Sequence, residues 1–74
     1  MVYEVVISLV DGQTSIFGQA IAEFSQLPSP EQIEAVCALV MSDAKFAIAT
    51  VHVAGFPSIL YGMIVESADN GKKE

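Results

Sequence analysis

Cys37 and His52 are the only side chains in this chain that could serve as a thiol nucleophile and an imidazole base. A thiol attacks as its thiolate, and a neighbouring base must lie within hydrogen-bond reach to generate it. Cys37 falls on an apolar stripe with helical spacing, whereas His52 falls in an alternating, strand-like run. The thiol is therefore expected beneath a helix and the imidazole on the far side of a sheet, where the two cannot meet. Cys37 reads as a small buried hydrophobe, and His52 as a polar position at the rim of an interface.

The carboxylates offer no better constellation. Glu31 and Glu34 share one side of a helix, but no pair has the spacing that general acid–base work or a divalent cation requires. One cysteine rules out an intrachain disulfide, and no His and Cys cluster suggests zinc. Asp11-Gly12-Gln13 lacks the glycine spacing, the lysine and the following helix of a phosphate loop. The chain is accordingly read as non-enzymatic, with no catalytic residue, cofactor or metal.

Charge narrows the partners. Nine carboxylates face three lysines, arginine is absent, and the net charge is −6. Lys72 and Lys73 sit at the C-terminal end, so residues 1–68 hold Glu4, Asp11, Glu23, Glu31, Glu34, Asp43 and Glu66 against Lys45 alone. Phosphate neutralisation needs Lys or Arg, so direct nucleic-acid binding is not expected. The stacking that Phe17 and Tyr61 could offer to bases lacks its electrostatic half. A basic protein surface is the partner this charge favours.

The elements that position these residues follow from periodicity. Val2 to Val10 is β-branched and aromatic, with Tyr3, Val5, Ile7 and Leu9 on one face. Asp11-Gly12 signals a two-residue hairpin turn. Folding about it sets Ile7 opposite Ile16, Val6 opposite Phe17 and Glu4 opposite Gln19. Residues 14–26 also show helical spacing at Ile16, Phe17, Ala20, Ile21 and Phe24, but Gly18 in mid-helix would cost about 1 kcal/mol, which favours the strand. Ser29, Pro30 and Gln32 then form a helix start with a capping box. Ile33, Val36, Cys37, Val40, Met41 and Ala44 continue as one buried stripe over about four turns. Phe46 to Ala54 and Ile59 to Glu66 read as a second hairpin about Gly55-Phe56-Pro57-Ser58, with His52 opposite Tyr61 and Thr50 opposite Met63.

The fold class is thus α+β, in the order β-β-α-β-β, a four-stranded antiparallel sheet with one helix on one face; the alternative is β-α-α-β-β with 14–26 helical. Residues 1–68 form one domain, and 69–74 form a polar tail expected to be mobile. No apolar run approaches the ~18 residues of a membrane span and no signal peptide is recognised, so the cytoplasm is the expected location.

One helix covers one face of a small sheet, yet both faces read as apolar. The hydrophobic fraction is 53% and the mean hydropathy is +0.54. Leu60, Gly62 and Ile64 are expected beneath the helix. The uncovered face is expected to hold Val6, Phe17, Ile21, Ile48, His52, Tyr61, Met63 and Val65 as an oligomer or partner interface. Monomers rarely expose such a surface, and a domain this short buries only about 60% of its unfolded area. A homodimer is the leading expectation.

Small size, acidity and the lack of assembled catalytic groups resemble the inhibitors encoded by phages and mobile elements, including anti-CRISPR proteins; the resemblance rests on these bulk properties and on no motif. It implies occlusion of a basic surface on a larger complex, with Glu31, Glu34, Asp43, Glu23 and Asp11 as the acidic contacts. The competing reading is a small-ligand domain or small enzyme with a pocket at the dimer interface, lined by Phe17, His52, Tyr61 and Met63.

Overall fold

A computed structural model describes residues 1–12 and 15–67. The tail expected at 69–74 lies outside the described residues. The elements are β1 (Tyr3–Val10), β2 (Ile16–Phe24), α1 (Pro30–Val40), β3 (Phe46–Val53) and β4 (Ile59–Glu66). They form one antiparallel sheet in the order β2-β1-β3-β4 with a single helix. The α+β plan read from the sequence is the plan observed. Ile16 to Phe24 is strand, so the helical alternative for 14–26 does not apply there.

The order explains where the helix must lie. β2 and β3 both run antiparallel to β1, so they are parallel to each other with β1 between them. The β2–α1–β3 segment therefore crosses over β1, and its helix rests on one face of the sheet. Ser29 starts α1 as expected: its hydroxyl accepts from the Gln32 amide at 3.2 Å, and its own amide donates to Gln32 Oε1 at 2.8 Å. Pro30 occupies the first turn at no hydrogen-bond cost.

Beneath the helix, Ile33 and Cys37 meet Val5, Ile7, Ala47, Ala49 and Val51, all fully buried. Two alanines and a cysteine among these positions keep the layers close. Fully burying Ile7, Ile33, Val5 or Val51 contributes about 1.5–3 kcal/mol each, and with Cys37 these are the largest fully buried side chains.

Three expectations of detail are corrected. The helix ends at Val40, after about three turns, because Ser42 adopts φ 51° and turns the chain out of the helix; Met41 and Ala44 are buried all the same. The first hairpin does not turn on Asp11-Gly12 alone: β2 begins at Ile16, and the Asp11 amide donates to the Ser15 carbonyl. Its pairing is Ile7 with Ala20, Val6 with Ile21 and Glu4 with Glu23, four residues from the expected register. A shift of four preserves the side-chain alternation, so the faces hold although the partners change. Ile16 is an exception. It lies opposite Val10 across a register break and is largely exposed.

The second hairpin slips by one residue, and that reverses β4. His52 pairs with Ile59 and Val51 with Tyr61, leaving Leu60 as the extra residue of a bulge. Tyr61, Met63 and Val65 thereby pair with Val51, Ala49 and Ala47 and pack against the core. They were expected on the uncovered face, and the structure overturns that placement. Gly62 and Ile64 were expected beneath the helix and lie on the open side instead, exposed. Both alternating sets of β4 are apolar, so hydropathy alone could not choose between them.

Candidate functional site

The face of the sheet away from α1 is built from rows that cross all four strands. One row is Gln19, Ser8, Ile48 and Ile64; the next is Ile21, Val6, Thr50 and Gly62. Glu23, Glu4 and His52 form a third. Val6 in the second row meets Ile48 in the first diagonally across adjacent strands, within side-chain reach, and Ile21 and Ile64 flank them on the outer strands. The result is an apolar band from one sheet edge to the other. Ile21 is 63% exposed, Ile64 66% and Ile48 39%, with no described element above them.

The polar side chains beside this band satisfy one another. Gln19 Nε2 donates to Ser8 Oγ at 3.2 Å, and Thr50 Oγ1 and His52 Nε2 lie 3.0 Å apart in a hydrogen bond. Polar groups already paired laterally lose less when a surface is covered, because fewer are stranded without partners. Of the expected interface residues, Val6, Ile21, Ile48 and His52 are on this face. Phe17 lies in β2 at the register break, between the residues paired with Leu9 and Val10. Ile64 belongs to the band and was missed, since its placement depends on the Leu60 bulge.

Tyr61 has a different role. Its hydroxyl donates to the Pro28 carbonyl at 2.5 Å, tying β4 to the loop that leads into α1. The ligand pocket expected from Phe17, His52, Tyr61 and Met63 is not assembled within the chain, because His52 and Tyr61–Met63 lie on opposite faces.

Cys37 and His52 are likewise separated by the sheet. Cys37 is fully buried under the helix. Burial first, and the Glu34 carboxylate second, push its thiol up from the usual range, which disfavours the thiolate. Among the described residues no group of three or more His, Cys, Asp or Glu is placed to hold a metal ion. No helix there is long and apolar enough to cross a membrane.

The five expected acidic contacts do not share one surface. Glu23 is on β2 beside Glu4, Asp11 follows β1, and Asp43 follows the helix. Glu31 and Glu34 instead join Glu66 around an open groove of about 540 Å³ between α1 and β4. Ala35, Ala38, Ile64 and Val65 complete its walls. Glu66 was absent from the expected contacts because only the strand order brings the end of β4 beside the helix. A second, smaller hollow of about 270 Å³ lies at the other hairpin, among Met1, Val53, Phe56, Ser58 and Leu60. Compared with protein-family models, curated proteins and solved structures, the chain gives no match.

Proposed function

We propose that this chain is a small, acidic, non-enzymatic protein-binding module that self-associates through its open sheet face and acts by occluding a basic surface on a larger partner. The observation that carries the reading is the band of Ile21, Val6, Ile48 and Ile64, uncovered by any described element. Four strands about 4.8 Å apart and about 27 Å long give a face of roughly 500 Å² in plan. A standard interface takes about 800 Å² of accessible surface from each partner, so nearly the whole face must be used. A second copy supplies a surface of the same size, flatness and polarity.

The energetic case agrees. A 74-residue chain with one cysteine has no disulfide of its own, and domains of this size usually take added stability from a staple or from association. The net charge of −6 directs any further partner towards basic surfaces. The occluding mode of the phage and mobile-element inhibitors fits this combination. Light scattering across a concentration series tests the self-association, and capture of a basic partner that is released by charge reversal at Glu31 and Glu34 tests the occlusion. A monomer at every concentration overturns the open-face reading.

A further inference from the structure

The groove between α1 and β4 has the construction of a strand-addition site. β4 is the last strand of the sheet, with β3 on one side and no described strand on the other. An edge strand presents unpaired N–H and C=O groups at alternate residues. Successive strand side chains point to opposite faces, yet the consecutive residues Ile64, Val65 and Glu66 all border this one groove. The strand therefore meets it along its edge, where the backbone is, and not along a face.

The opposite wall is a helical stripe. Glu31, Glu34, Ala35 and Ala38 recur at the spacing that aligns side chains on one side of a helix. The alanines leave width for a chain lying alongside β4, while Glu31 and Glu34, with Glu66 across the groove, set its charge. Among the described residues no basic side chain pairs with these three. Lys45, the one lysine there, runs beside Gly12 instead, its Cδ 3.5 Å from where a Gly12 Cβ would stand.

We propose that this groove binds an extended, lysine- or arginine-bearing segment of a partner protein, which adds to β4 as a fifth strand. Backbone hydrogen bonds to the β4 edge hold the segment, as in other strand-addition complexes. Its basic side chains turn to the helix side, towards Glu31 and Glu34, and the alternate apolar side chains turn to the open side, beside Ile64. The proposal rests on the reading of the chain as a protein-binding module, but not on the dimer.

The test uses the full chain and a short peptide alternating Lys and Val, labelled for fluorescence anisotropy. Three comparison peptides are needed: two N-methylated at alternate residues, one in each register, and one with Glu in place of Lys. The Lys–Val peptide should bind, and binding should weaken as salt rises. It should fall about tenfold for Glu31→Lys/Glu34→Lys, a pair of exposed contacts both lost and inverted. N-methylation in one register should abolish it, and the Glu peptide should not bind. Equal binding of both N-methylated forms would reduce the effect to charge attraction and overturn strand addition. Unchanged binding by the charge-reversed variant would overturn the groove itself. A fall in mass from dimer to monomer as peptide is added would assign the edge to a second copy and overturn the proposal. Self-association without peptide binding sinks the groove alone; peptide binding by a monomer sinks the open-face reading alone.

Discussion

If two copies pair through the open face as proposed, replacing Ile21 and Ile64 by threonine should separate them while leaving the fold intact. Threonine keeps the β-branched shape that strands favour but exchanges the apolar end of each side chain for a hydroxyl. The two positions are on the outer strands β2 and β4, roughly 14 Å apart across the sheet, so their effects should add. Ile21 is 63% exposed and Ile64 66%, so only a third of each is already buried by folding. Full burial of such a side chain gives about 1.5–3 kcal/mol, which leaves ~1–2 kcal/mol per residue for association and ~0.5–1 kcal/mol for folding. A two-fold interface counts each substitution twice, so the dimer should lose at least ~4 kcal/mol, about a thousandfold in Kd. Light scattering of the double variant should report a monomer where the wild type is a dimer, while far-ultraviolet circular dichroism stays unchanged. Leu39→Thr is the control, because Leu39 is 84% exposed but lies on the helix. A double variant that keeps the wild-type mass, or a Leu39 variant that dissociates, would refute the assignment of the interface to the open face.

Two further substitutions probe the frame that holds these surfaces. Ser42→Gly should raise stability by about 0.5–1 kcal/mol in urea unfolding, since Ser42 sits at φ 51°, a conformation glycine adopts without the penalty an L side chain bears; no gain would mean that the serine is held there by contacts worth as much. Tyr61→Phe should cost about 1–2 kcal/mol, because it strands the Pro28 carbonyl that the hydroxyl now serves, and it should leave the mass of the assembly unaltered; a change of mass would return Tyr61 to the interface.

The sequence was most legible where a residue type has one physical use. Ser29, Pro30 and Gln32 marked the helix start because a capping hydroxyl, a proline without an amide and a reciprocal glutamine serve few other purposes in that order. Its end was less legible: Met41 and Ala44 continue the apolar spacing and are buried, but they reach the core from a turn. For β1 the alternation of Val5 and Ile7 with Glu4 and Ser8 fixed the faces even though the β2 register was four residues off. Nothing comparable protects β4, where Ile59, Tyr61, Met63 and Val65 alternate with Leu60, Gly62 and Ile64, and both sets can be buried. The groove was illegible for another reason. Glu31 and Glu34 were visible as a helical pair, but Glu66 joins them only through the strand order, which no local pattern encodes.

The weight that a single bulge carries in β4 can be measured by deletion. Leu60 is the residue without a partner between the His52–Ile59 and Val51–Tyr61 pairs. Removing it would join these pairs into a regular ladder and leave Tyr61, Met63 and Val65 facing the helix. Leu60 is 48% exposed, so the loss of its burial should cost about 1 kcal/mol, offset in part by the gain of a regular ladder. The deletion variant should therefore fold and unfold cooperatively in urea. Deleting Gly62 should not be tolerated in the same way. If Tyr61 stays in place, every residue beyond the gap changes face, so that Ile64 and Glu66 turn towards the helix and Met63 and Val65 towards solvent. Burying the Glu66 carboxylate without a partner costs several kcal/mol, a large part of the 5–15 kcal/mol that holds a small domain together. If the two deletions prove equally harmful, β4 is not positioned by its pairing to β3, and the placement of Ile64 on the open face loses its basis.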